Sequence, residues 1–292
     1  MATGFTEVDN PVSRDVRPVL SFLGIGGTMA IITLLTDFGL QDSYVAEMKG
    51  RILSAHPGAV LVDVTHEIPA GAIRHGAWIL SRSWSAFPQS TIHVAVVDPG
   101  VGSKRRGVAA RSHGHFFVGP DNGILHPILA ADTGSELREI SGIHRAPAGR
   151  GTTFDGRDLF APLAAALARG MPFAETGPPA GAPVALEPFR LIQEGKGWVA
   201  EVVAIDRYGN VITCAPESFL RATFGSAWRE IGVRFGNQEI RTVRAAYQDV
   251  RDGEPLLTIG SAGTLEISVN GGNAGRVLGI AMGNSIRIEA AR

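Results

Sequence analysis

Three short apolar runs, separated by two stretches of helical periodicity, constrain this chain more than anything else in its sequence. The runs are IITLL (31–35), AVLVDV (59–64) and IHVAVV (92–97). Each is rich in β-branched and aliphatic residues and bounded by polar or turn-forming ones, as buried strands are. Between the first two, residues 43–55 place Val45, Met48, Ile52 and Leu53 on one helical face. A second helix is predicted through Ile73, Ala77, Trp78 and Leu80. Strand, helix, strand, helix, strand implies a parallel sheet with crossover helices. Such a sheet binds ligands just beyond the carboxyl ends of its strands. Standing there are Asp37 after the first run, Thr65 and His66 after the second, and Asp98 after the third.

After a further helix near 159–169 the chain changes character. TGPPAGAPVALEP (176–188) is rich in Pro, Gly and Ala and reads as a linker. Beyond it WVAEVVAI, GVRF, EIRTV, PLLTI, TLEISV and SIRIEA are short strands at close spacing, the pattern of a small antiparallel barrel. The expected fold class is therefore α/β. An N-terminal parallel-sheet α/β domain spans 30–180, a linker 181–195, and a C-terminal antiparallel β-barrel domain 196–292. Residues 1–29 lack the basic flank and apolar core of a signal peptide. They read as a disordered or loosely docked extension, with Met29 as an alternative start.

Composition removes several classes of function. A formal net charge of -1 argues against a nucleic-acid-binding surface. No apolar stretch approaches the ~18 to 20 residues of a membrane span. The single cysteine, Cys214, precludes an internal disulfide and suits a reducing cytoplasm. Within VITC it is expected to pack rather than react. There is no GxxxxGK[ST], GxSxG, HExxH or CxxC, and GIGGTM (24–29) precedes a strand, which is the wrong context for a dinucleotide fingerprint. His113 and His115 alternate in what reads as a polar surface loop, and no metal site is expected.

What remains is a set of loops rich in Asp, Asn, Gly and Arg: TDFG, DPGVGSKRR, GPDNG, TFDGRD, IDRYGN and VNGGNAG. Any one alone is a turn. Asp158, ahead of LFAPLAAALA, is positioned as a helix cap or first-turn acid, and DNG at 121–123 as a cap for the helix that follows. Together, with three of them at strand ends, these loops offer donors and acceptors without a base triad. That chemistry suits a polar, hydroxyl-rich ligand.

From about residue 31 to the C-terminus, TDFG, VDVTHEIP, VAVVDPGVG, GPDNG, the TFxGRD pattern and IDxxGNV occur in order over both domains. This set resembles the S-adenosylmethionine (SAM) hydrolase family, the SAM hydroxide adenosyltransferases, which are related to adenosyl fluorinases and chlorinases. The resemblance implies a cytoplasmic homotrimer with active sites between subunits. SAM is the small-molecule substrate, with no cofactor or metal and no nucleic-acid or membrane partner. Methionine is displaced in line from C5′, by water to give adenosine and L-methionine or by a halide to give the halogenated nucleoside.

By the same resemblance Asp37 accepts from both ribose hydroxyls, and Asp206 and Asn210 hold the methionine amino group. Tyr247 stacks on adenine, whose edge Asn270 and Gly271 read. Ser261 lies near the methionine carboxylate, followed by Ala262 where the fluorinase has Arg. Phe154 and Gly156 complete the substrate-binding set; Gly156 lacks the hydroxyl that contacts fluoride, though chlorinase relatives can carry Gly there. In the hydrolases the water belongs to an Asp-Arg-His set. Asp98 and Arg105 match its first two members, and Asp155 stands where the His belongs.

Three readings of Asp155 are open. It accepts from the water as base, or it pairs with Arg105 and leaves the water to Asp98, or the change leaves a protein that binds SAM or adenosine without turnover. Asp98 occupies a position that is neutral in the halogenating enzymes, and a carboxylate there repels an anion. Water is thus the expected nucleophile, with a SAM-dependent halogenase and a non-catalytic binding protein as alternatives.

Overall fold

The computed structural model describes residues 30–142 and 153–290; the expectation for residues 1–29 lies outside the described residues. The N-terminal domain runs β1 (Ile31–Thr36), α1 (Tyr44–Ala55), β2 (Val60–Thr65), α2 (Ile73–Ser83), β3 (Ile92–Val96), β4 (Gly107–Ser112), β5 (His115–Pro120), α3 (His126–Ala130), β6 (Glu136–Glu139) and α4 (Ala161–Ala168). Its six strands lie in the order β2-β1-β3-β5-β4-β6. The pairings β1 with β2, β1 with β3, and β3 with β5 are parallel, whereas β4 runs antiparallel to both β5 and β6. One face of the sheet is covered by α1 and α4, with Ile32, Leu34, Met48, Ile52, Val94 and Leu163 in a common core. The other face meets α2 and α3 through Leu35, Leu80, Phe117, Ile124 and Ile128.

Three expectations are corrected here. The run 59–64 forms β2, but at the sheet's edge, so Val60 is 37% exposed. An edge strand is covered on fewer sides than its composition suggests. On α1 the buried residues are Val45, Met48 and Ile52. Leu53 faces outward. Finally, His115 is the first residue of β5 and is buried. Ser112 and His115 pair directly across a two-residue turn, and His113 and Gly114 take its positive φ values, 50° and 78°. The turn sends His115 inward onto His93, 3.2 Å away, while His113 stacks on Trp84.

The C-terminal domain comprises β7 (Leu191–Glu194), β8 (Gly197–Ile205), β9 (Val211–Pro216), α5 (Glu217–Phe224), β10 (Ile231–Phe235), β11 (Gln238–Arg241), β12 (Pro255–Ile259), β13 (Thr264–Val269), α6 (Ala274–Leu278) and β14 (Ser285–Ala290). The order β11-β10-β14-β8-β9-β13-β12 is antiparallel throughout, with β7 added on β8. Its two edges are drawn together by a bridge between Val243 and Leu257, giving a nearly closed barrel. Alternate residues such as Val202, Ile231, Leu257, Ile267 and Ile288 fill the interior. β7 lies within the span read as linker, because residues 191–194 find a partner in β8. Arg74 of α2 ties the domains: it pairs with Glu201 of β8 at 2.8 Å and lies over the ring of Phe189.

Candidate active site

The carboxyl end of β3 and a turn ahead of α4 converge on one guanidinium. Asp98 stands two residues past the end of β3, and Asn122 fixes the intervening residue by donating from Nδ2 to the carbonyl of Val97 at 2.8 Å. Asp98 accepts from the Nε of Arg105 through both oxygens, at 3.0 and 2.9 Å, and from Nη2 as well. The same Nη2 donates to Asp155 Oδ2 at 2.6 Å. The three side chains are only 4%, 12% and 7% exposed for Asp98, Arg105 and Asp155 respectively. Burial alone would lower the Arg105 guanidinium, but the bonds and charges of Asp98, then Asp155, outweigh it and hold the group above its ordinary value. Two carboxylates, Asp98 and Asp155, thus share the guanidinium of Arg105.

Asp155 opens a π-helical turn, Gly156–Phe160, that leads into α4. Asp158 sits in that turn without capping a helix through its side chain; it pairs with Arg157, which also reaches Glu47. DNG at 121–123 likewise does not cap α3. Asp121 binds Arg106, and Asn122 is committed to Val97 and to the amide of Ile124. Phe154 packs edge-on against Phe38 and Tyr44, at 5.6 and 5.3 Å between centroids. A Cβ at Gly156 would press on Met48, Phe154 and Phe38 at 3.1 to 3.3 Å, so the side chains around this position are closely packed. Asp37, after β1, accepts from the amide of Gly71 at 2.8 Å, and His66 is bonded to Thr36.

The second group of expected residues gathers in the barrel. Asp206, Asn210, Tyr247, Ser261, Asn270 and Gly271 all line one cavity of about 710 Å³. Asp206 organises the IDRYGN turn: Oδ1 accepts from the amides of Tyr208 and Asn210, and Oδ2 from the Nδ2 of Asn210, each at 2.9 Å. Tyr247 is 45% exposed, with its ring open to the cavity and its hydroxyl donating to Glu266 Oε1 at 2.9 Å. Burial, then Glu266 and Asp206, push its phenol up to about 12. Asn270 is held by the carbonyl of Val250 and by Asp252.

None of the residues around Arg105 lines the barrel cavity. One chain thus brings its expected residues together as two separate groups. Tyr208, Val269, Gly272 and Asn273 also line the barrel cavity from within the IDRYGN and VNGGNAG loops, whereas Glu266 lies outside every quoted motif. The signal for Glu266 is the alternation in TLEISV, where Thr264, Glu266 and Ser268 share one strand face and all are buried. Cys214 bonds the carbonyl of Arg190 and the amide of Glu201, and burial pushes its thiol up, which is the state of a packing cysteine. Among the described residues, no group of three or more His, Cys, Asp or Glu side chains could hold a metal ion, and no helix is long and apolar enough to cross a membrane.

An α/β domain with a carboxylate–guanidinium–carboxylate cluster at its strand ends, joined to a barrel with an acidic, aromatic-lined cavity, defines a two-domain protein built around a polar small molecule. Comparison with known proteins makes this specific. Residues 32–177 match the SAM hydroxide adenosyltransferase N-terminal domain, and residues 200–287 match the C-terminal domain of the same family. The chain belongs to that family. It is 37% identical over 268 residues to the (R)-S-adenosyl-L-methionine hydrolase of Salinispora tropica, covering 89% of this chain and 97% of that one. Against the hydrolase of the same name from Thermus thermophilus the identity is 36%, covering 89% and 100%. A fluorinase from an Actinoplanes species is more distant, 28% identical over 50% of this chain and 57% of its own. The crystal structure of an uncharacterized conserved protein from Thermotoga maritima matches with a TM-score of 0.82 at 35% identity, covering 88% of this chain and 99% of that one.

Proposed function

We propose that this protein hydrolyses SAM at C5′ to adenosine and L-methionine, with the water positioned by Asp98, Arg105 and Asp155. The observation that carries the reading is the Asp98–Arg105–Asp155 cluster at the strand ends of a family member whose relatives are named for this activity. A water oxygen forms a bond to C5′ as the C5′–S bond breaks. The sulfonium leaves as a neutral thioether, so the leaving group requires neither a general acid nor a metal. The proton released by the water goes to the carboxylates around Arg105. The carboxylate of Asp98 disfavours a halide at this position.

The rest of the site is assigned to the barrel cavity and to Asp37, which fixes the ribose through two charge-assisted bonds. Methionine's amino group goes to Asp206 and Asn210. Adenine goes to Tyr247, Asn270 and Gly271, and the carboxylate end to Ser261. Phe154 and Gly156 shape the wall beside Asp155. Because the two groups of residues do not share a cavity within one chain, we assign the complete site to the junction of neighbouring subunits in a homotrimer. The lone, unreactive thiol of Cys214 fits a cytoplasmic setting.

The test is to incubate purified protein with SAM, with and without chloride, and to follow adenosine and methionine by chromatography beside Asp98→Asn. Chloride-independent adenosine from the wild type, falling by about 10²-fold or more in the variant, is expected. Loss of SAM that depends on chloride, or binding without product, would overturn the assignment.

A further inference from the structure

The carboxylate assigned to the ribose, Asp37, sits on a segment that one neighbouring residue grips from both sides. Pairing between β1 and β2 ends at Leu35 and Thr65, after a register shift between Leu34 and Leu35. One residue further on, side chains take over from the backbone ladder. Thr36, 0% exposed, and His66, 4% exposed, meet at 2.8 Å between Oγ1 and Nδ1. The same Oγ1 accepts from the amide of Phe38 at 3.2 Å, and the carbonyl of His66 accepts from the amide of Gly39 at 2.8 Å. His66 thus fastens the chain ahead of Asp37 through its ring and behind it through its main chain. Gly71, in the same loop as His66, adds its amide to Asp37 Oδ2 at 2.8 Å.

The ring itself is fixed at both nitrogens. With Oγ1 accepting from Phe38, the Thr36 proton is free for Nδ1, and the ring proton then stands on Nε2. Nε2 lies 3.1 Å from Asp63 Oδ1, close enough for electrostatic attraction though not aligned as a hydrogen bond. Asp63 is anchored in turn by Lys49 of α1 at 2.6 Å. Thr36 and His66 are too buried to hold substrate themselves. A buried polar chain at a strand end locks the direction of the group beside it.

From this we infer that His66 is a positioning residue: through Thr36 and Gly39 it sets the TDFG segment so that Asp37 meets both ribose hydroxyls at once. The inference rests on the SAM reading above and on the assignment of Asp37 to the ribose. A carboxylate that takes two hydroxyls together tolerates little tilt. The ribose carries C5′, so its placement also decides whether the attack is in line, and a misplacement of about 1 Å can cost on the order of 10²-fold in rate.

The experiment compares wild type with His66→Leu, which removes both ring nitrogens, and His66→Asn, which keeps an acceptor where Nδ1 stands. Thr36→Val breaks the same link while keeping the shape of the side chain, so the test survives if His66→Leu does not fold. Calorimetry gives the ratio of affinities for adenosine and 2′-deoxyadenosine, and chromatography follows adenosine release from SAM. The wild type is expected to prefer adenosine by about tenfold, the worth of one charge-assisted bond. That ratio should fall toward one in His66→Leu and Thr36→Val, with hydrolysis down by about tenfold or more, and recover in His66→Asn. Parallel losses for both nucleosides, which a merely structural role would give, or an unchanged ratio would overturn the role of His66. A wild type that does not prefer adenosine would overturn the ribose assignment of Asp37, and the role of His66 with it. Shifted ratios without adenosine release from SAM by the wild type would support His66 and overturn the hydrolase reading instead.

Discussion

The charged group in the N-terminal domain and the one in the barrel are built on opposite plans. Around Arg105 the charges satisfy one another: two buried carboxylates and one guanidinium are bonded before any ligand arrives. In the barrel cavity the acceptors outnumber the donors, and Glu266 keeps an oxygen with no described partner. A pre-paired cluster holds its geometry without substrate, which is what positioning a small nucleophile such as water requires. An open, acidic cavity gains its missing partners from the ligand, which is what discrimination requires. The difference separates chemistry from recognition within one chain.

If that separation is real, breaking each group should have a different signature. The largest effect is expected at Arg105→Met, which removes the cation shared by two buried carboxylates. Removing one member of a buried ion cluster costs about 3–5 kcal/mol. Chemical denaturation should show that loss, together with loss of turnover. A variant of unchanged stability would mean that the cluster is not the pre-paired element described here.

In the barrel, the matching substitution is Gly209→Ala. Gly209 has a φ of 90° and its missing side chain leaves room for Asn273, a cavity residue. A left-handed alanine pressed onto that neighbour should cost roughly 1–3 kcal/mol and weaken SAM binding, while the environment of Arg105 stays intact. Equal affinity would show that the IDRYGN turn does not shape the cavity.

A third contrast concerns acid sensitivity, which sits in the N-terminal sheet and is felt only well below neutral pH. His93 is held at about 3 by burial, then by the nearby His115, while donating or accepting with Thr33 at 2.8 Å. Its folded value lies below the unfolded one of about 6.5. The neutral ring therefore contributes stability that is fully present above pH 6.5 and is lost as pH falls toward 3. Over that window the slope is at most about 1.4 kcal/mol per pH unit. Denaturation at stepped pH should show this slope in the wild type and a flatter one in His93→Gln. Identical slopes would remove His93 as the sensor.

Much of this arrangement is written in the sequence, but unevenly. Asp98 and Arg105 are legible because an apolar run ends directly at DPGVGSKRR, and strand ends are where parallel sheets bind ligands. Asp155 is legible as a site residue; its bond to Arg105, across fifty positions, follows only from the fold. The edge position of β2 was hidden because composition reports what a strand is made of, and pairing order decides what covers it. His115 was misread because its burial depends on a two-residue hairpin turn. Glu266 carries no motif at all. It emerges once TLEISV is known to be a strand with both faces covered.

The most direct measurement mixes two inactive proteins. Asp98→Asn removes the chemistry of the N-terminal group, and Asp206→Asn damages the recognition of the barrel. If the working site joins the two groups across a subunit boundary, co-refolded mixtures contain some sites with both halves intact. Equal mixing should restore about a quarter of wild-type SAM hydrolysis, since each half is intact in one subunit of two. Adenosine release no greater than the sum of the separate variants would contradict the account, because each site would then belong to a single chain.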